Sequence, residues 1–136
     1  MLKSCIIALI VTTGYFVTAP QKDTLSASMK RGEQVYTNNC QSCHMPAGEG
    51  IAGTFPPLAK SDYLLKDQKR AIGVVLHGAS GEIKVNGETY NMDMPPMPYL
   101  SDQEVADVLN YIQNNWGNKA KAVAPEQVKA VRQQKK

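Results

Sequence analysis

The 136-residue sequence predicts an all-α fold that carries one small β-hairpin. Apolar residues recur at helical spacing in several segments, most clearly in the segment that holds Val105, Val108, Leu109 and Ile112. The clearest strand-like runs flank the dipeptide Asn86-Gly87, and glycine and proline concentrate in the segments between helices. The length suits one compact domain with its own core.

Residues 1–19 predict an export signal. Lys3 gives a positive start, and the apolar run Cys5–Val17 is shorter than the ~20 residues that a membrane-spanning helix needs. Small residues end the segment at Ala19, but Pro20 directly after them disfavours cleavage. A cleaved signal peptide and an uncleaved N-terminal anchor therefore both remain open. Either one predicts an exported, periplasmic protein.

The first half of the chain then predicts a polar lead-in and three helices separated by an irregular loop. The lead-in is 20–28, and the first helix is Met29–Asn39. Three glycines and three prolines make 45–57 a loop, and the two further helices are Ser61–Leu65 and Asp67–Leu76.

The second half predicts a hairpin, a rigid segment and a strong helix. Asn86-Gly87 between two short runs favours a type I′ turn. Three prolines make the segment Met94–Pro98 extended or turn-like. Ser101 and Glu104 form an S-x-x-E capping box at the start of the last clear helix.

The end of the chain, 118–136, is basic. From residue 117 onward it has six Lys or Arg residues against one Glu, which favours a solvated tail with a short helix from Pro125 that does not pack. Contact with an acidic partner or anionic lipid is the alternative. The net charge of +3, with no interleaving of basic and aromatic residues, predicts no nucleic-acid binding.

The most specific motif is Cys40-Gln41-Ser42-Cys43-His44. Two thiols separated by two residues can each add to a vinyl group of one haem, and the adjacent histidine then lies beneath the iron as an axial ligand. A thioredoxin-like pair needs a βαβ context that is missing here, and a zinc site with His77 lacks a second paired motif. A disulfide across two residues is strained. The motif therefore predicts one covalently bound haem c.

The candidates for the second axial ligand are Met92, Met94, Met97 and His77. A thioether keeps the iron six-coordinate and suits electron transfer. The prolines after Met94 pre-order its backbone, which lowers the entropic cost of holding a weak ligand. Met94 is therefore the predicted partner of His44 as a metal ligand, with Met92 and Met97 as alternatives.

The chain resembles the class I cytochromes c of bacteria, which are monohaem proteins with His and Met ligands. The resemblance covers about Met29 to Gln134, and the matching elements in order are Gly32, Tyr36, Cys40–His44, Phe55-Pro56-Pro57-Leu58, His77-Gly78, the 81–90 hairpin, Met94-Pro95-Pro96 and the segment from Leu100 to Ile112. It implies about three to five helices around one haem, with 29–117 as the cytochrome c domain. In one departure, Met92 stands where glycine or another small residue is common.

The resemblance also implies roles for individual residues. The first and last helices cross where Gly32 allows close approach, and Tyr36 packs against Leu109 and Ile112. The carbonyl of Pro57 accepts the Nδ1 proton of His44. Leu58 packs on the haem face. The haem-binding set is then Cys40, Cys43, His44, Pro57, Leu58 and Met94.

The function that follows is a one-electron carrier, not an enzyme, that cycles haem iron between Fe(III) and Fe(II) in a respiratory or denitrification-type chain. Segments 77–90, 116–118 and 124–128 are similar to cytochromes associated with copper nitrite reductases. The expected partners are redox proteins: a copper nitrite reductase, a dehydrogenase or an oxidase. The alternatives are a dedicated subunit of such an enzyme and, less favoured, a haem sensor or peroxidase with an open iron site. The protein is expected to be a monomer, with residues 1–19 as a potential membrane tether.

Overall fold

The computed structural model describes residues 24–134, which form a helical domain with one hairpin. The elements in chain order are α1 Leu25–Asn39, α2 Gln41–His44, α3 Asp62–Lys66, α4 Gln68–His77, β1 Ile83–Val85, β2 Glu88–Tyr90, α5 Asp102–Ile112 and α6 Pro125–Arg132. The all-α prediction with a small hairpin is confirmed. The predicted signal or anchor at 1–19 lies outside the described residues. Within 24–134, no helix combines the length and the apolar character needed to cross a membrane.

Helix α1 begins at Leu25, earlier than the predicted start at Met29. The side chain of Thr24 caps it by accepting a hydrogen bond of 3.2 Å from the backbone N–H of Ala27. Ser28, placed by the sequence in a polar lead-in, is buried in the helix. The end of the predicted lead-in is therefore the first turn of α1.

Helices α1 and α5 cross at Gly32. A Cβ atom on this glycine would collide with the backbone carbonyl of Asp107 and with the side chain of Tyr111. Helices that cross this closely need a residue without a side chain at the contact point. The close crossing that the resemblance implies is confirmed.

A buried polar network lies beside this crossing. Asp107, only 2% exposed, accepts hydrogen bonds from Ser28 Oγ at 2.5 Å and from Arg31 Nε at 2.7 Å. Asn110 Nδ2 donates to Ser28 Oγ at 2.9 Å. Because a buried carboxylate is costly without partners, these bonds fix the relative position of α1 and α5.

The apolar core lies between these two helices and α4. Tyr36 is 1% exposed, and it belongs to the same buried cluster as Leu109 and Ile112. Its ring centroid is 5.6 Å from that of Tyr111 and 5.0 Å from that of Trp116. The aromatic cluster thus surrounds the end of α1 just before the cysteine motif.

The hairpin has the predicted turn. Asn86 and Gly87 have φ angles of 52° and 89°, as a type I′ turn requires. The hairpin is tied to α3 because Asn86 N–H donates to Asp62 Oδ1 at 2.7 Å and Asp62 N–H donates to Asn86 Oδ1 at 3.0 Å. The hairpin is therefore fixed to the body of the domain.

The prediction of an unpacked C-terminal tail is wrong. Helix α6 packs on α4 and α5, and its Val128 and Val131 are 0% and 9% exposed. Arg132 Nε forms an ion pair of 2.7 Å with Asp102 Oδ1, and Asn110 holds the backbone of Val123 through two hydrogen bonds. Two valines three residues apart lie on the same face of a helix, and they are enough to form a short buried stripe. The low apolar content of the tail as a whole gave no indication of this stripe. This helix also raises the number in the described chain to six, above the expected three to five.

Candidate functional site

The cysteine motif follows α1 directly and forms its own helical turn. The N–H of Cys40 donates to the carbonyl of Tyr36 at 2.8 Å, and the N–H of His44 donates to the carbonyl of Cys40 at 3.0 Å. Tyr36 Oη also donates to the carbonyl of Met45 at 2.6 Å. Both cysteines are free thiols and half-buried. The motif is therefore held by the backbone of its own turn and by the core residue Tyr36.

His44 is buried at 9% exposure, and its Nδ1 lies 2.9 Å from the carbonyl oxygen of Pro56. Because a carbonyl can only accept, the proton is on Nδ1 and the lone pair is on Nε2. Nε2 has no hydrogen-bond partner among residues 24–134. Burial lowers the pKa of His44, and the bond to Pro56 opposes this in part. The ring is thus a neutral, oriented imidazole with one free nitrogen.

The predicted acceptor for His44, the carbonyl of Pro57, is wrong by one residue. The acceptor is the carbonyl of Pro56, which lies close to Gly50 in the loop. A Cβ on Gly50, which has a φ of +64°, would press against the carbonyls of Phe55 and Pro56. Only glycine therefore fits at this position, where the loop passes against the carbonyl of Pro56.

The two thiols differ in their surroundings. Burial, with a smaller contribution from Cys43, raises the pKa of Cys40 to about 11. Before any haem is attached, Cys40 is therefore a neutral thiol at physiological pH and not the thiolate of a redox-active pair. In the part of the chain that the structure describes, no three His, Cys, Asp or Glu side chains are grouped to hold a metal ion, so the zinc alternative does not assemble.

A mainly apolar cavity brings together all the predicted haem-binding residues. Its lining includes Cys40, Cys43, His44, Pro57, Leu58 and Met94. Of the alternative ligands, Met92 also lines the cavity, but it is 53% exposed. Met97 is buried in the core, and neither it nor His77 belongs to the lining.

Met94 is positioned by a backbone pair that the sequence reasoning did not find. Its N–H donates to the carbonyl of Ala79 at 2.8 Å, and the N–H of Ala79 donates to its carbonyl at 3.1 Å. Gly78 has a φ of +73°, and a Cβ there would press on the Met94 carbonyl and on Pro96. The methionine loop therefore depends on a glycine that the sequence marks only as the end of a helix.

The cavity also contains residues outside the predicted set, among them Tyr63 on α3, Arg70 on α4 and Val85 on β1. Nothing in their local spacing marks them, because they meet only once the hairpin and the two helices have packed. Pro56 is the exception, since it lies in the Phe55–Leu58 segment that the resemblance includes.

These residues fit a haem. The cavity offers a mainly apolar lining, two free thiols, an imidazole nitrogen without a partner and a thioether on a fixed loop. The sequence profile that describes cytochrome c matches residues 29–116, which is more than half of the chain.

The chain belongs to the cytochrome c family. Membership means that haem c is bound covalently, and Cys40 and Cys43 have the spacing that this attachment uses. The family transfers electrons.

Three relatives show which kinds of cytochrome c this chain is similar to. Cytochrome c-552 of Thermus thermophilus is 39% identical over 120 residues, which cover 82% of this chain and 80% of the relative. The cytochrome c subunit of a quinone alcohol dehydrogenase of Gluconobacter oxydans is 37% identical over 90 residues, 65% of this chain but 19% of the subunit. The cytochrome c subunit of gluconate 2-dehydrogenase of Pantoea cypripedii is 35% identical over 94 residues, 67% of this chain and 21% of that subunit. This cytochrome c is thus similar to most of a small cytochrome and to about a fifth of each of two larger subunits.

Proposed function

We propose that this cytochrome c is an exported, non-enzymatic one-electron carrier in which His44 and Met94 are the axial ligands of the haem iron. The observation that carries the proposal is the position of both residues in one cavity with the two cysteines. Haem c supplies an iron that alternates between Fe(III) and Fe(II).

His44 contributes an oriented donor nitrogen. The bond from Nδ1–H to the Pro56 carbonyl fixes the tautomer and the ring orientation, and it increases the electron donation of Nε2. Because burial and this hydrogen bond would hold the ring in one orientation in both oxidation states, little reorganisation would accompany a change in the charge of the iron.

Met94 contributes the second ligand on a fixed backbone. The pair with Ala79 and the following prolines hold the loop, so a weak thioether bond loses little conformational entropy when it forms. With Met94 as its second ligand, the haem iron would have no open site for oxygen, peroxide or a gas. This favours a carrier over the sensor and peroxidase alternatives.

The share of each relative's length that the match covers favours a separate carrier over a dedicated subunit. The match covers most of cytochrome c-552, whereas it covers only about a fifth of each dehydrogenase subunit. We propose that the donor or acceptor is a periplasmic dehydrogenase, and that an oxidase or a copper nitrite reductase is the other partner. Contacts between such partners are small and partly electrostatic.

A redox titration of the full-length holoprotein, combined with carbon monoxide binding, tests the proposal. The expected result is a reversible one-electron titration and no rapid carbon monoxide adduct of the ferrous protein. Rapid binding of carbon monoxide would contradict the carrier function and support an open iron site.

The separate-carrier proposal has its own test. After expression in a Gram-negative host, the holoprotein should be recovered in the periplasmic fraction or on the membrane that faces it. Size-exclusion chromatography at high salt should separate it from any dehydrogenase. Co-elution with one enzyme at high salt would instead identify it as a dedicated subunit.

A further inference from the structure

Residues 116–118 form a sharp turn soon after α5. Trp116 and Gly117 have φ angles of 51° and 86°, and the backbone N–H of Asn118 donates to the carbonyl of Asn115 at 2.8 Å. Two consecutive left-handed residues reverse the chain within these four residues. The turn brings Asn118 against the body of the domain, where it is only 7% exposed.

The amide nitrogen of Asn118 bonds to two backbone carbonyls. Its Nδ2 donates to the carbonyl of Leu58 at 2.8 Å and to that of Ile112 at 2.7 Å. Ile112 is the last residue of α5, so its carbonyl lies beyond the hydrogen bonds within the helix. Leu58 lies in the loop that follows the cysteine motif, and both residues line the haem cavity. The side chain therefore joins two walls of the cavity.

The amide oxygen of Asn118 shows that the side chain is there for its donors. Its Oδ1 is buried and has no hydrogen-bond partner among the described residues. A buried acceptor without a donor costs free energy, so an amide is disfavoured at such a position unless its N–H groups are needed. A leucine of similar size would avoid this cost, but it could not bond to either carbonyl. The position therefore requires the two N–H groups of Asn118.

The carbonyl that Asn118 holds is connected to His44 by a stiff stretch of chain. Leu58 follows Pro56 and Pro57, and the carbonyl of Pro56 lies 2.9 Å from His44 Nδ1. A proline fixes its own φ and restricts the residue before it, so few free rotations separate the carbonyls of Leu58 and Pro56. A displacement of Leu58 therefore moves the hydrogen-bond acceptor of His44.

The same turn supports this loop at a second point. The ring of Trp116 packs against Gly48, where an added Cβ would collide with it. The carbonyl of Gly48 accepts the backbone N–H groups of Leu58 at 2.7 Å and of Ala59 at 2.8 Å. The two ends of the loop are thus tied to each other and to the turn at 116–118.

We propose that Asn118 is a positioning residue for His44, because the carbonyl that it holds fixes where the acceptor of the Nδ1 proton lies. The inference rests on the proposal that His44 binds the iron, which the paramagnetic shift of its ring protons in the ferric wild-type holoprotein tests separately. The bond to Pro56 increases electron donation by His44, and electron donation stabilises Fe(III) relative to Fe(II). Loss of the Asn118 donors therefore raises the midpoint potential.

The test compares Asn118→Ala and Asn118→Leu with the matched control Asn110→Ala, all as holoproteins. Asn110 is also a buried asparagine, and it forms two hydrogen bonds with the backbone of Val123, but it does not line the haem cavity. The readouts are the midpoint potential and, by NMR of the ferrous protein, the exchange rate of the His44 Nδ1 proton. In N118A and N118L the potential rises and the exchange becomes at least about tenfold faster. In N110A the free energy of unfolding falls while both readouts stay at their wild-type values.

Equal changes in N118A and N110A would show a general effect of lost stability and overturn the proposal, as would an N118A variant with the wild-type potential and exchange rate. Where neither Asn118 variant matures, native-state exchange of the wild-type holoprotein in urea decides. Opening of the His44 Nδ1–H and the Asn118 Nδ2–H groups in one common step supports the inference. Exchange of the His44 proton while Asn118 stays protected contradicts it. A negative result together with shifted His44 ring protons would reject the role of Asn118 and leave the carrier proposal intact.

Discussion

The two ligand-bearing parts of the haem cavity are built in different ways. Cys40, Cys43 and His44 lie within five consecutive residues, and the backbone bonds that hold their turn come from the same segment or from the end of α1. Met94 lies on a loop without helix or strand, and Ala79, from the other end of the hairpin segment, holds its backbone. One part is specified locally and the other by a long-range pairing.

This difference explains what the two parts require of the rest of the chain. The cysteine turn needs α1 to be firmly placed, which the crossing with α5 at Gly32 achieves. The methionine loop needs the chain to turn sharply at Gly78, after α4, so that Ala79 can pair with Met94. Substitutions at these two glycines should therefore separate global stability from ligation of the iron.

The largest effect is expected for Gly32→Ala. The added Cβ meets the Asp107 carbonyl, so α1 and α5 must move apart, and we expect a loss of about 3 kcal/mol in the free energy of unfolding. Urea denaturation of the holoprotein measures it. The matched control is Gly73→Ala on α4, where no atom lies within 4 Å of the added Cβ. That change should be neutral or stabilise by up to about 1 kcal/mol. Equal stability of the two variants would contradict the close crossing.

Gly78→Ala should act on the methionine loop. Alanine at a φ of +73° is strained, and its Cβ presses on the Met94 carbonyl. We expect a loss of about 2 kcal/mol in unfolding free energy and a weakened long-wavelength ferric absorption band, the mark of iron–thioether bonding.

The control for this change is Gly87→Ala in the hairpin turn, which has a φ of +89° and no neighbour within 4 Å of an added Cβ. The G87A variant therefore has backbone strain but no steric clash like that with the Met94 carbonyl in G78A. The ferric band should therefore keep its intensity in G87A. If G78A also keeps the band, Gly78 does not position Met94.

Val128→Ala should lower the free energy of unfolding without changing how His44 or Met94 binds the iron. Val128 on α6 is fully buried against α4 and α5, and loss of two methyl-sized groups costs about 1.5 kcal/mol. Thermal unfolding measures this, with Lys129→Ala on the exposed face as the control. A change in the ferric band of V128A would show that α6 also shapes the haem site.

The smallest effect concerns the capping box of α5 and depends on pH. Bonds from the backbone N–H and hydroxyl of Ser101 hold the pKa of Glu104 below its ordinary value. A depressed carboxyl pKa stabilises the fold above the unfolded-state value, and this contribution is lost as the pH falls through the folded-state value. Glu104→Ala should thus cost less than about 1 kcal/mol at neutral pH, because the pair is exposed, and almost nothing in acid. A cost that grows in acid would contradict this.

The sequence predicts the locally encoded features well. The Asn86-Gly87 turn needs two positive φ angles, and the capping box needs two side chains three residues apart, so both can be recognised in short segments. The cysteine motif can be recognised for the same reason. Each of these features is stabilised mainly by neighbours in the chain.

The features that sequence reasoning missed depend on distant contacts. His44 bonds to the carbonyl of Pro56 and not to that of Pro57, and residue spacing alone does not distinguish these two adjacent carbonyls. The packing of α6 depends on Val128 meeting a surface made by α4 and α5. Arg70 reaches the cavity only through the same tertiary packing.

The most direct test of the central claim is the ferric absorption spectrum of Met94→Ala beside those of Met92→Ala and Met97→Ala. We expect M94A alone to lose the long-wavelength iron–thioether band and to bind carbon monoxide rapidly when reduced. M97A should lose about 2–3 kcal/mol of stability, since Met97 is buried, while it keeps the band. M92A, which removes an exposed side chain, should resemble the wild type. Retention of the band in M94A, with its loss in M92A or M97A, would contradict the assignment of Met94 as the ligand.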